Sequence, residues 1–172
     1  MSKGSDQWDA MPIFNGIFPC VLKNGNINYY LNPNNFNYKE DGSAADLTGD
    51  DGDVMIEFNK FAYKIYRDGQ YLYVSATNDE DVVTEDTNYK YYAFSRDTEG
   101  DIDKFYVGAY KGWVDKENKL RSLPGKVPAN TKTIGAFRNC AQANGEHYQQ
   151  SGFFQLIARQ VLYLIKYGTL NG

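Results

Sequence analysis

The 172-residue chain reads as an α+β protein, strands first and helices last, and three observations predict this. Apolar residues alternate with period two at Val54, Ile56 and Phe58 and again at Phe61, Tyr63 and Ile65, the pattern of half-buried strands. The two stretches with helical character, about 133–144 and 151–167, both come late. Strands and helices are segregated rather than interleaved, so the pattern calls for an antiparallel sheet and not for parallel βαβ units.

Residues 1–10 are polar and are expected to form a flexible tail, leaving 11–172 as one domain. Ile13 to Leu22 is apolar with turn residues, Asn24-Gly25 is a hairpin signal, and Ile27 to Leu31 is the returning strand. Asn32 to Gly52 is turn-rich and long, the kind of loop that is either functional or ordered by packing elsewhere. Asn59-Lys60 suits a turn, and Asp68-Gly69 marks a hairpin into Tyr71 to Ser75. Asn78 to Asn88 reads as an acidic loop. Tyr89 to Phe94 and Phe105 to Tyr110 read as further strands, separated by turn formers over 96–101. Pro124, Gly125 and Pro128 exclude a long helix from 111–129.

The first helix then presents Ile134, Phe137 and Ala141 on one face with Cys140 beside them, and Gly145 stops it. In the second, Ser151 is placed to cap the start, Lys166 suits the last turn, and Gly168 suits a left-handed end. Phe153, Phe154, Leu156, Ile157, Val161, Leu162, Leu164 and Ile165 cover most of its circumference. That predicts a buried central helix with Ile157, Val161 and Leu164 in the dry middle of the fold. Gln155, Arg159 and Gln160 inside the stretch argue against a membrane span.

Composition narrows the function classes. Eighteen basic residues are scattered among 22 acidic ones for a net charge of −4, with no basic cluster of the kind that tracks nucleic-acid phosphates. The N-terminus has no apolar run of the secretory type. Cys20 and Cys140 read as two buried free thiols, with a disulfide between them as the alternative. The single histidine, His147, leaves little for a His-based metal cluster or a Ser-His-Asp triad, and reads as a hydrogen-bonded structural residue. Phosphate-binding glycine loops are absent, and nothing specifies an enzyme or a cofactor. Asp50, Asp51 and Asp53 invite a calcium reading, but Asp50-Asp51-Gly52-Asp53 breaks the required alternation, so a solvated turn is preferred and Ca2+ is the alternative. Fifteen Tyr and ten Phe make 16% aromatics, which suits strands and also suits contact surfaces.

Four segments together carry a resemblance: Asp41 to Gly49 with Gly52 to Lys64; Phe105 to Tyr110 with Leu120-Arg121-Ser122 and Pro124-Gly125; Phe137 to Gly145; and Leu162 to Asn171. In order and spacing they resemble tail-tip or fibre structural proteins of bacteriophages and prophages over roughly residues 8–171. Those proteins look related to the C-type-lectin-like fold shared by formylglycine-generating enzymes and retroelement-diversified receptor binders. The resemblance implies a twisted antiparallel sheet, two late helices and long loops. Two departures stand out. Lys166 replaces a usual Glu, and those proteins continue through a Gly-Asn-x-Trp segment, so the resemblance implies a shortened relative, a chain continued by a further segment, or a domain completed by a partner chain. The calcium-sugar motifs of true C-type lectins and the paired catalytic cysteines of the formylglycine-generating enzymes have no match.

What the resemblance implies for function is a non-enzymatic virion component, made in the bacterial cytoplasm and extracellular in the mature particle. It would contact a host cell-surface receptor or glycan, or alternatively other virion proteins in an assembly or decoration role, with a homo-oligomer such as a trimer as one form. Candidate contact residues are Tyr89, Tyr91, Tyr92, Tyr110, Trp113 and Tyr148, whose ordinary alternative is packing within the fold.

Overall fold

The structure, a computed structural model, describes residues 11–96 and 100–169. The expected N-terminal tail and the 97–99 part of the expected turn lie outside the described residues. In chain order the elements are β1 (Ile17–Lys23), β2 (Asn26–Tyr30), β3 (Asp53–Asn59), β4 (Ala62–Asp68), β5 (Tyr71–Thr77), α1 (Glu80–Glu85), β6 (Ser95–Arg96), β7 (Gly100–Asp101), β8 (Lys104–Gly108), β9 (Trp113–Val114), β10 (Leu120–Arg121), α2 (Ile134–Gln142) and α3 (Phe153–Tyr167). The α+β order with two late helices holds. The single sheet does not: β2-β1-β3-β8 form one, and β4-β5, β6-β7 and β9-β10 are separate antiparallel pairs.

The described residues fall into two compact units. The sheet unit comprises Phe18–Glu57 and Tyr106–Ser151. Its β1–β2 hairpin closes through Asn24 and Gly25, both at positive φ (51° and 79°), as a tight two-residue turn demands. Val21, Leu31 and Val54 are buried together, with Tyr29, Phe36, Leu47 and Tyr110 packed around them. The long 32–52 loop is ordered: the Tyr29 hydroxyl accepts from the Asp46 amide (3.1 Å) and donates to the Asp51 carboxylate (3.0 Å). Burial and the Asp51 charge push that phenol up to about 12.

Beside this cluster lies a buried ionic knot. Arg121 Nε donates to both Asp53 carboxylate oxygens (3.0 and 3.1 Å), Nη1 reaches Asp115 at 3.4 Å, and Nη2 donates to the Gly49 carbonyl at 2.9 Å. The Ser122 amide adds a bond to Asp53 at 2.8 Å. Burial pushes the Asp53 carboxyl up, and Ser122 and Arg121 only partly pull it back. Cys20 and Cys140 are both buried and are not joined in a disulfide, which resolves the two readings. α2 starts as expected, with the Thr133 hydroxyl accepting from the Ala136 amide at 3.2 Å. Its Ile134 is exposed, however, and the covered face is Cys140 and Ala141. His147 is exposed.

The ribbon unit comprises the described residues of Met1–Ile17, Phe58–Phe105 and Gly152–Gly172. Its interior is aromatic: Phe58 stacks on Phe105 (5.0 Å between centroids), Phe94 meets Phe105 at 5.0 Å, and Phe61 meets Phe94 edge-on at 5.4 Å. The β4–β5 hairpin turns at Gly69 (φ 56°) in the expected place.

Three expectations are corrected here. Tyr89 to Phe94 is not a strand but a turn, because the Tyr91 carbonyl accepts from the Phe94 and Ser95 amides and only Lys90 bridges to Tyr63. The acidic loop contains α1, capped by Asp79, which accepts from the Asp81 amide. The late helix is not central. α3 is capped by Gly152 rather than Ser151 and buries only Ala158, Val161 and Leu162, while Ile157 and Leu164 are half-buried. Its C-terminal end is as expected, with Gly168 left-handed (φ 63°) and Lys166 in the last turn. The physical reason is that α3 packs along β5 of a two-stranded ribbon, which is wide enough to cover one stripe of a helix and no more.

Candidate recognition surface

The ribbon's two faces follow from strand alternation. Tyr63, Ile65 and Arg67 share one face with Ala76, Val74 and Leu72, and Lys64, Tyr66 and Asp68 share the other with Ser75, Tyr73 and Tyr71. On the first face Tyr63 is buried, and its ring carries Tyr92 at 5.2 Å. Tyr92 in turn lies nearly parallel to Phe154 (5.7 Å, 17°), and Phe154 meets Phe153 edge-on at 5.6 Å. These last three rings are open to solvent, at 42%, 48% and 70% exposure.

Two clamps hold that platform. Gln155 Nε2 donates to the Ala93 carbonyl at 3.0 Å, tying the first turn of α3 to the 91–95 turn. Tyr63 and Lys90 exchange backbone hydrogen bonds at 3.1 and 3.2 Å, fixing the other side. The rings are therefore carried on ordered backbone, which lowers the entropy lost on contact.

On the opposite face Tyr66 stacks flat on Tyr73 (4.9 Å, 8°). Lys64 bonds Asp86 at 2.6 Å and lies over the Tyr89 ring at 4.5 Å. The Lys64 bond, helped by the Asn88 amide and side chain, holds the Asp86 carboxyl down at about 2. A depression of about 450 Å³ beside β4 is lined by Lys64, Ile65, Tyr66, Asn88 and Tyr92. The arrangement offers flat ring faces bordered by an ammonium and an amide. That is a set of groups for contact and hydrogen bonding.

The sequence-predicted residues divide between the units. Tyr92 belongs to the platform. Tyr89 is buried, its hydroxyl paired with Ser75 Oγ at 2.7 Å, and Tyr91 is half-buried with Lys60 over its ring at 4.2 Å. In the sheet unit Tyr110 packs against the Val21 cluster, and Trp113 is half-buried in β9 with Lys126 at 4.8 Å. Tyr148 accepts from the Gly25 amide at 3.1 Å and lines a polar depression of about 150 Å³ with Lys23, Asn24, Lys119 and Asn144. Asp53 faces Arg121, Asp51 accepts from Tyr29, and the Asp50 carbonyl accepts from Lys23. Among the described residues no group of three or more His, Cys, Asp or Glu is placed to hold a metal ion. No described helix is long and apolar enough to cross a membrane.

Phe153, Phe154, Tyr66, Tyr71 and Tyr73 are exposed residues that sequence reasoning missed. The available signal was in β5, where the apolar run Tyr71-Leu72-Tyr73-Val74 lacks polar alternates, so a two-stranded ribbon must leave some of it in solvent. Compared with protein-family models, curated proteins and solved structures, the chain finds no match.

Proposed function

We propose that the chain is a non-enzymatic virion component, a tail or fibre domain of C-type-lectin-like type that contacts the host cell surface. The observation that carries the reading is the Tyr92–Phe154–Phe153 platform, an exposed aromatic cluster on ordered backbone. Exposed apolar patches of this kind mark contact sites, and aromatic rings give large contact area at low entropic cost. A receptor protein or a glycan suits it, since a sugar's C–H face stacks on a flat aromatic ring such as Tyr92 or Phe154. The α+β order, the two late helices and the ordered 32–52 loop support the fold assignment.

The test is adsorption of the purified protein to a panel of bacterial strains and to glycans extracted from them. Anchor residues cost about 2 kcal/mol or more on truncation. Tyr92→Ala, Phe153→Ala and Phe154→Ala together should then weaken binding at least about 30-fold with unchanged circular dichroism. Undiminished adsorption rejects this surface. The second reading, an assembly module contacting other virion subunits, is favoured by the separate exposed Tyr66–Tyr73 stack. It predicts variants that still adsorb to cells but are not incorporated into particles.

A further inference from the structure

We infer that two copies of this chain pair through the free edge of β4, antiparallel and related by a twofold axis at Tyr66. The first observation is where the backbone points. Tyr63 donates its amide to the Lys90 carbonyl and accepts the Lys90 amide on its own carbonyl, so both groups face away from β5. Backbone direction alternates along a strand, so Ile65 and Arg67 present their N–H and C=O to that same outer side. Lys90 is the last residue to bridge there. The Asn88 amide, next in that register, is bonded instead to the Asp86 carboxylate at 3.0 Å. Among the described residues, none continues the ladder past Tyr63, and the depression lined by Lys64, Ile65, Tyr66, Asn88 and Tyr92 occupies that place. An unpaired edge of this kind is a template for another strand.

The second observation is that the open stretch complements itself. An antiparallel pair centred on Tyr66 sets Ile65 opposite Arg67 of the second copy, where all four outward-facing residues exchange backbone bonds. It also sets Lys64, whose ammonium already bonds Asp86, opposite Asp68 of the second copy on both sides of the axis, adding a second carboxylate to that cation. Moving the centre to Ile65 or Arg67 places Lys64 or Asp68 against a tyrosine or beyond the strand and loses the charge match. Gly69, with open space around it, turns the second copy's chain away before it meets Lys90.

The third observation concerns the side chains on the Lys64 face. Tyr66 is already the cross-strand partner of Tyr73, and the rings are stacked and about half-exposed. Pairing at Tyr66 joins the two stacks into one row, Tyr73–Tyr66–Tyr66–Tyr73, across a four-stranded sheet. Directly opposed aromatic pairs are favourable sheet contacts. The occupant of the edge is therefore a second copy, by charge, by register and by the aromatic row. The pairing stands apart from the host-contact reading, but it would present two platforms on one particle and raise avidity.

Interchain cross-linking tests the register. Opposed residues at a non-hydrogen-bonded antiparallel position have Cβ atoms about 4.5–5.5 Å apart, close enough for a disulfide to form with small adjustment. Y66C should oxidise to a covalent dimer and R67C should not, while the buried native cysteines Cys20 and Cys140 stay silent. Sedimentation should show a dimer for the unaltered chain, and D68K, which sets like charges opposite each other, should raise its dissociation constant at least about 10-fold. Ile65→Pro removes only an outward amide and should give monomer with an unchanged far-ultraviolet spectrum. A chain that is monomeric at every concentration, a trimer, or R67C cross-linking as readily as Y66C overturns the inference.

Discussion

The buried polar side chains Asp53, Glu57 and Ser122 all belong to the sheet unit, where Asp53 and Ser122 build a knot around Arg121 beside a small aliphatic cluster. The ribbon unit is packed instead by ring contacts among Phe58, Phe61, Phe94 and Phe105, and its charged pairs Lys64–Asp86 and Lys60–Asp101 stand near the surface. The two interiors differ in how much geometry they demand. An ion pair out of water is stable only with every partner in place, whereas rings in contact tolerate small shifts and lose energy in proportion to what is removed. The same difference governs their surfaces. A ribbon two strands wide covers one stripe of α3 and leaves rings in solvent, and those rings form the proposed contact surface.

The largest expected effects set one interior against the other. Arg121→Met strands Asp53 and Asp115 without their cation and should cost about 3–5 kcal/mol by urea unfolding. Phe94→Ala, at a fully buried ring, should cost about 3–5 kcal/mol as well. The two separate with pH: acid neutralises the stranded carboxylates and should recover part of the Arg121→Met loss, and it should leave the Phe94→Ala loss unchanged. An equal response of both variants would break the comparison.

Titration gives the next effect, with opposite signs in the two units. Asp86 lies at about 2 in the fold against an ordinary 3.8, so its contribution is present above 3.8 and is lost as pH falls toward about 2. Asp53 is raised by burial, so its contribution is complete below the ordinary carboxylate value and is lost as pH rises through its folded value. Urea midpoints measured down that acid window should fall less for Asp86→Asn than for the unaltered chain. Asp53→Asn should show the reverse trend. At the alkaline end, burial pushes Tyr63, like Tyr29, up to about 12, so the late-titrating tyrosinate absorbance should lose one group in Tyr63→Phe.

The smallest effects are at the helix ends. Thr133→Ala removes the cap of α2 and should cost about 1 kcal/mol. Gly168→Ala forces a side chain into left-handed backbone at the end of α3 and should cost about 1 kcal/mol. Both are measurable as shifts in unfolding midpoint, and both should be insensitive to pH.

These end effects mark the boundary between what was legible in the chain and what was not. The hairpins at Asn24-Gly25 and Asp68-Gly69, the Thr133 start of α2 and the Gly168 stop of α3 could be read directly, because each depends on the torsions and hydrogen bonds of a few adjacent residues. The platform residue Tyr92 was legible as a candidate contact aromatic, though in a stretch that reads as a strand, but Phe153 and Phe154 were not, since the same residues would be core under a broader sheet. Nor did alternation reveal that Tyr89 to Phe94 closes into a turn, or that Asp53 meets an arginine far along the chain. Local residues settle the torsions of each piece. Which face of α3 stays dry, and which strand edge stays open, depends on how wide a layer the rest of the chain lays against it, and that is a property of the folded molecule alone.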